Sequence, residues 1–260
     1  MNHAVRIHQH GGPEVMQWEE VPLPSPKPGE ALVRHSAVGL NYIDVYFRTG
    51  LYKVPSLPAT LGMEAAGVVE AVGEGVSEVR PGDRVAYAMG PLGSYAEART
   101  IQADLLLKLP DAVDDTQAAA MMLQGLTAQY LLKRTFPVQA GQTILVHAAA
   151  GGVGLILCQW AKALGCTVIG TVGTDEKAAL ARANGADHTV LTHEDLPGRV
   201  KEITGGKMLP VVYDSVGRDT FQTSLDCLAP LGMMVSYGNA SGPVPPVELS
   251  LLAAKGSLFL

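Results

Sequence analysis

Gly141-Gln142-Thr143-Ile144-Leu145-Val146-His147-Ala148-Ala149-Ala150-Gly151-Gly152-Val153-Gly154 runs an apolar strand straight into a turn of small residues that opens a helix. Within it Ala149, Gly151 and Gly154 keep the spacing of G-x-G-x-x-G, with alanine in first place, which is the architecture of a dinucleotide site. The first position needs smallness for a tight turn, the second so that backbone can approach a pyrophosphate, and the third so that helix packs on strand. Unpaired N–H groups of the first helical turn and the positive end of the helix dipole then hold a diphosphate without a basic side chain. Glycine also serves plain turns, so the flanking sequence decides.

Residues 143–148 read as a buried parallel strand, and residues 155–164 are apolar nearly all round, as in a helix covered by a sheet and a neighbour. Further strand-like runs follow at 167–172, 211–214 and 233–237, with a shorter one at 188–191. Strands alternating with helices at that spacing predict an α/β fold with a parallel, doubly wound Rossmann sheet.

An NAD-binding chain usually places a carboxylate on the ribose about 20 residues past the glycines. Here the second strand ends Thr171-Val172-Gly173-Thr174, with no acid at its tip, and Asp175 and Glu176 come where they would start the next helix. Gly173, Thr174 and Lys177 can accept a 2′-phosphate through backbone, hydroxyl and charge, which favours NADPH. Lys177 reads equally well as a solvated helix lysine.

The 260 residues are 47% hydrophobic and 17% charged, enough apolar content for two ordinary cores. Apolar stretches are interrupted well short of the roughly 20 residues a bilayer span needs, and residues 1–10 carry His, Arg and Gln where a signal peptide would be apolar. A net charge of −6 without a basic run argues against a nucleic-acid partner. Cys158, Cys166 and Cys227 have no C-x-x-C spacing and read as core residues of a reducing compartment, the cytoplasm.

The amino-terminal half has a different texture. Short alternating runs at 31–37, 65–72 and 84–87 are punctuated by Pro22, Pro24, Pro26, Gly29, Gly73, Gly75, Pro81 and Gly82, the pattern of an all-β domain. No helical period appears before about residues 116–133, which read as the connection into the second domain. The expected division is a β-rich domain over residues 1–115 and a dinucleotide-binding domain over 116–260, with a ligand cleft between them.

The chain resembles the medium-chain dehydrogenase/reductase superfamily, and within it the zeta-crystallin-like quinone oxidoreductases. The signature from Gly141 and Gln142 through Leu145, Ala149-Ala150-Gly151-Gly152 and Gly154 to Gln159 and Lys162 carries the resemblance. It is joined by His10-Gly11-Gly12-Pro13-Glu14, Asn41-Tyr42-Ile43-Asp44, Gly62-Met63-Glu64-Ala65-Ala66-Gly67, Pro81-Gly82-Asp83-Arg84-Val85, Tyr213-Asp214-Ser215-Val216-Gly217 and Lys255-Gly256-Ser257. It implies a GroES-like amino-terminal domain in front of the Rossmann domain.

Zinc alcohol dehydrogenases of the superfamily carry cysteine where Asn41 stands, histidine where Met63 stands, and a loop of four cysteines. Those donors are missing, and His3, His8, His10, His35, His147, His188 and His193 show no pairing that replaces them; His8 and His10 read as a surface pair on one strand face. The resemblance therefore implies an enzyme without a metal. Its acceptor must already be electrophilic, a quinone or a conjugated enone, because no Lewis acid polarises it.

By the same resemblance Tyr42, Ile43, Asp44, Val45 and Tyr46 line the nicotinamide end of the cofactor, with Asn41 beside them and Thr127 on the ring or its ribose. Asn41, Tyr46 and Thr127 are the expected catalytic residues. A tyrosine suits a proton donor, while Tyr42 and Tyr46 read equally as packing residues and Asp44 as an acid that turns the chain. The remaining implied cofactor contacts are Ala149, Ala150, Gly151, Gly152 and Val153 with Gly154 at the diphosphate, Gly173, Thr174 and Lys177 at the adenosine end, Gly217, and the loop Ser241, Gly242, Pro243, Val244. Relatives often have tyrosine near the 2′-phosphate where Thr192 stands.

Family members continue for several dozen residues beyond Leu260, in a tail that adds cofactor contacts and completes the amino-terminal domain. Leu258-Phe259-Leu260 falls inside the expected sixth strand, whose apolar edge in relatives joins two copies into a homodimer. Two alternatives to quinone reduction are NADPH-dependent reduction of enal or enone double bonds and a non-catalytic, crystallin-like NADPH-binding role. Some relatives are reported as RNA binders, which the acidic balance here opposes.

Overall fold

Proline and glycine cut the first half of the chain into short strands, and in the computed structural model, which describes residues 1–260, these build two antiparallel sheets. Strands β1 (Asn2–Ile7), β2 (Met16–Val21) and β4 (Ala59–Thr60) form the smaller sheet in the order β2-β1-β4. The larger takes β3 (Glu30–Gly39), β5 (Glu64–Val72), β6 (Arg84–Ala88), β7 (Ala98–Gln102) and β8 (Leu107–Lys108) in the order β7-β3-β5-β6-β8. Ala31, Val33, Val69, Val85, Tyr87 and Ile101 bury one face of that sheet, as alternation along half-covered strands requires. All three expected runs lie within β3, β5 and β6. β1 stops at Ile7, so His8 and His10 occupy the turn after it and share no strand face: His8 Nε2 lies 3.0 Å from Glu19 Oε2, and His10 Nδ1 lies 3.1 Å from the Phe47 carbonyl.

A helix unforeseen in the sequence, α1 (Tyr42–Thr49), follows β3. Its eight residues are too few for a periodic signal, and its start is fixed by side chains instead. Asn41 and Asp44 form a reciprocal capping box, and Gly50 ends the helix at φ +83, a left-handed conformation that glycine adopts without strain. The long helix α2 (Asp115–Tyr130) runs into a wider turn at Leu131–Thr135. The chain divides into two units, Met1–Leu123 and Gln124–Leu260.

The second unit is one parallel sheet, β9 (Thr143–Val146), β10 (Thr167–Val172), β11 (His188–Leu191), β12 (Leu209–Asp214) and β13 (Leu228–Ser236), in the order β11-β10-β9-β12-β13. Helices α3 (Gly152–Ala163), α4 (Asp175–Ala183), α5 (Leu196–Ile203) and α6 (Phe221–Asp226) connect the strands, and α7 (Leu249–Ala254) follows β13. Leu145 and Val146 turn to opposite faces and enter different cores, one with Leu157, Val168 and Tyr213, the other with Ile169, Val200, Val212 and Leu225. A sheet covered on both faces explains why its strands read as continuous apolar runs. The three cysteines are free and buried. Phe259 bridges β13 in parallel at Met233, its carbonyl accepting the Met234 N–H at 3.0 Å. No helix is long and apolar enough to cross a membrane.

Candidate active site

β9 ends at Val146, two residues earlier than its sequence suggests, because the backbone turns sharply at Ala148, where φ is +51. The Gly151 N–H closes the turn on the Ala148 carbonyl at 2.8 Å, and the Ala149 N–H ties it to the Thr171 carbonyl of β10 at 3.0 Å. The motif's last two glycines then differ. A Cβ at Gly154 would stand 2.3 Å from the Ala148 carbonyl oxygen, so helix–strand packing itself demands glycine. A Cβ at Gly151 would meet only that same oxygen, at 3.1 Å, and the residue faces solvent. Gly151 caps α3 without a side-chain bond of its own, and the first-turn N–H groups of Gly152, Val153 and Gly154 have no carbonyl partner within the helix, as an anion site requires. Ala149 is fully buried, while Ala150 and Val153 pack at the edge of the core.

The other expected contacts of this unit gather at the carboxyl ends of the strands, where open α/β sheets bind ligands. Gly173 follows β10, has no atom within 4 Å of the place a Cβ would take, and is exposed. Thr174 caps α4, accepting the Lys177 N–H at 3.3 Å, and the Lys177 side chain is exposed. Thr192 lies beside them through its N–H to the Val172 carbonyl, 2.9 Å. Gly217 sits at φ +92, with the Gly242 carbonyl 2.6 Å from a would-be Cβ. The Ser241 N–H and hydroxyl both donate to the Val216 carbonyl, so the 217 and 241–244 loops form one ledge. Pro243 is exposed on it, and Val244 packs into the core below. Thr127 stands half-buried on α2.

In the first unit Asn41, Tyr42, Ile43, Asp44, Val45 and Tyr46 occupy the start of α1. Tyr46 is buried, its ring 5.5 Å from Tyr42 and 5.1 Å from Tyr52. Asp44 Oδ2 accepts the Asn41 N–H at 2.9 Å and the Tyr95 hydroxyl at 2.7 Å, so the acid does turn the chain. The residue that organises this corner is Glu64, which the sequence reading assigned no role. Fully buried on β5, it accepts Asn41 Nδ2–H at 2.5 Å on one oxygen and the Leu123 N–H of α2 at 2.7 Å on the other. Burial pushes the Glu64 and Asp44 carboxyls above their ordinary range, against hydrogen bonds that pull them down, and the Asp44 charge adds to the rise at Glu64. The signal that could have found it is an acid that opens the small and apolar run Ala65-Ala66-Gly67-Val68-Val69, which must be paired when buried.

Comparison with known proteins matches residues 27–111 to the alcohol dehydrogenase GroES-like domain and 152–259 to the zinc-binding dehydrogenase family. A quinone oxidoreductase of Pseudomonas aeruginosa is 55% identical over 100% of this chain and 80% of its own length. The structure of Escherichia coli quinone oxidoreductase complexed with NADPH superposes with a TM-score of 0.97 at 53% identity, covering 99% of this chain and 79% of that one. The chain belongs to the quinone oxidoreductase family of the medium-chain dehydrogenase/reductases. A 2-haloacrylate reductase from Burkholderia sp is a further relative, 48% identical over 99% of this chain and 79% of its length.

The zinc in the name of the matched family finds no fitting donors here. Asn41 offers an amide already engaged by Glu64, Met63 is a buried thioether, and no three His, Cys, Asp or Glu side chains converge. A dinucleotide fits better: Gly173 is a glycine that its own surroundings do not require, and Gly151 is exposed, with only the Ala148 carbonyl oxygen close to the place of a Cβ, at 3.1 Å.

Proposed function

We propose that this chain is an NADPH-dependent quinone reductase that works without a metal. The observation that carries the reading is the exposed diphosphate turn, with open space around Gly173 and a glycine, Gly151, capping α3, in a chain so close to a quinone oxidoreductase solved with NADPH. NADPH, when bound, supplies hydride from nicotinamide C4, and one proton from water completes the quinol. Gly151, Gly152, Val153 and Gly154 hold the diphosphate through N–H groups, with Ala149 and Ala150 shaping the turn. Gly173, Thr174 and Lys177 take the 2′-phosphate beside Thr192, and the ledge of Gly217, Ser241, Gly242, Pro243 and Val244 covers the middle of the cofactor. Asn41, Tyr46 and Thr127 orient the nicotinamide and acceptor, while Tyr42, Ile43, Asp44 and Val45 exclude water there.

The test is the rate of NADPH oxidation with 1,4-benzoquinone, run beside NADH. Turnover with strong preference for NADPH supports the proposal; no turnover with any quinone sinks it. A second reading, reduction of an activated carbon–carbon double bond, is favoured by the 2-haloacrylate reductase relative. Turnover of 2-chloroacrylate above that of benzoquinone would put it first. We further propose a homodimer formed along the edge strand β13, where Leu231 is exposed, checked by light scattering. The buried free cysteines suit the cytoplasm.

A further inference from the structure

Four polar side chains are sealed into the otherwise apolar carboxyl end of the parallel sheet. Thr171, His147, Asp214 and Ser224 are 4%, 2%, 0% and 0% exposed. Thr171 Oγ1 lies 2.9 Å from His147 Nδ1, His147 Nε2 lies 3.0 Å from Ser224 Oγ, and Ser224 Oγ lies 2.6 Å from Asp214 Oδ2. Asp214 also accepts the Val216 N–H at 2.8 Å, the Gly217 N–H at 3.0 Å and the Thr220 hydroxyl at 2.7 Å. Nothing but donors surrounds that carboxylate, so Ser224 spends its single proton on it. His147 Nε2 must then carry hydrogen toward Ser224, and Nδ1 accepts from Thr171. Burial keeps the imidazole neutral by pushing its pKa down.

These are the residue types of a hydrolase triad in the wrong order. The serine lies between histidine and aspartate, its proton is committed to Asp214, and no solvent reaches it. The arrangement joins strand ends instead. His147 follows β9 and precedes the diphosphate turn; Thr171 lies in β10 two residues before Gly173; Asp214 ends β12 and grips the Gly217 N–H. We propose that the chain Thr171–His147–Ser224–Asp214 is a positioning network that fixes the spacing of the three cofactor-holding segments, so that NADPH affinity depends on side chains that never touch NADPH. Apolar residues would fill the same space, but only directional bonds pin three strand ends in one register. Segments held in the bound arrangement cost less to order when ligand arrives.

This inference rests on the NADPH reading above, and the test separates the two. Ser224→Ala removes the central link, leaving the His147 N–H without its acceptor and shortening the set of donors on Asp214. Expected are a five- to tenfold rise in the NADPH dissociation constant, followed by nucleotide fluorescence, and a matching rise in KM for NADPH. At saturating NADPH, kcat with benzoquinone stays within twofold, and Ser224→Thr, which keeps the hydroxyl, restores most of the affinity. A lower melting temperature with unchanged NADPH affinity would make the network purely structural and overturn the proposal, as would a loss confined to kcat. Should Ser224→Ala fail to fold, Thr171→Val, which removes only the terminal hydroxyl donor, is read by the same criteria. Failure of the unaltered protein to bind NADPH would instead refute the underlying cofactor reading.

Discussion

The diphosphate turn of the second unit and the Asn41 corner of the first are built from opposite materials. The turn is backbone, shaped by residues within one short stretch, and its specificity lies in side chains that are missing. The corner is side chain, assembled from positions 41, 44, 64, 95 and 123, and its specificity lies in two buried carboxylates. A site made of absences is sensitive to any added atom; a site made of buried acids is sensitive to any lost partner.

The largest effect should come from adding one carbon to the turn. Gly154→Ala puts a Cβ 2.3 Å from the Ala148 carbonyl oxygen, where α3 cannot back away without opening its contact with β9. Overpacking against rigid backbone costs about 3 kcal/mol, measured as a lowered urea midpoint without nucleotide. A midpoint within about 0.5 kcal/mol of the unaltered protein would show that the packing reason given for this glycine is wrong.

Next is the loss of an acceptor from the corner. Glu64→Ala takes from Asn41 Nδ2 and the Leu123 N–H the carboxylate they share, a destabilisation of about 2–3 kcal/mol for two buried bonds and a small cavity. Glu64→Gln keeps the shape but can accept only one of the two donors, so it should fall about midway. Equal stability of all three proteins would mean that the carboxylate organises nothing.

The same contrast explains what was legible in the sequence. The parallel sheet and its turn follow from local pattern: apolar runs covered on both faces, small residues at fixed spacing, and β11 found at 188–191 as expected. The corner was legible only at Asp44, three positions from Asn41, because the bonds to Glu64 join residues 23 to 59 positions apart, and α1 was hidden because a capping box, rather than a periodic face, defines it. Glu64 was visible as an acid opening β5, whose other acid, Glu70, is exposed, but its partners exist only in the fold. The role of His147 was hidden likewise, since Thr171, Asp214 and Ser224 meet it only when three strands align and α6 packs on them.

A polar interior of side chains should also make the first unit sensitive to acid. His35 donates from Nδ1 to the Ala96 carbonyl at 2.7 Å and accepts the Tyr87 hydroxyl at Nε2, 3.0 Å away. Burial, helped by the charge of Arg99, pushes its pKa down to about 4, from an ordinary 6.5. The unfolded chain therefore takes up this proton first as pH falls. Stability from the neutral ring is complete well above pH 6.5 and drains away toward pH 4, by about 1.5 kcal/mol between 6.5 and 5. His35→Gln, which keeps a donor and an acceptor but cannot titrate, should flatten that part of the curve relative to the unaltered protein, while the buried His147 contributes equally to both. Parallel curves would remove His35 from the account.

The smallest structural perturbation is the sharpest probe of the comparison. Gly173→Ala makes the same chemical change as Gly154→Ala, but no atom lies within 4 Å of the new methyl and the backbone is not left-handed. Stability in the absence of nucleotide should hold or rise by about 0.5 kcal/mol, because alanine loses less freedom on folding. If Gly173 is glycine for the sake of the adenosine end of NADPH, the methyl occupies the ligand's place, and the dissociation constant should rise about tenfold, or about 1.4 kcal/mol. An unchanged affinity would leave Gly173 an incidental loop glycine, and the site made of absences would then extend only as far as Gly151.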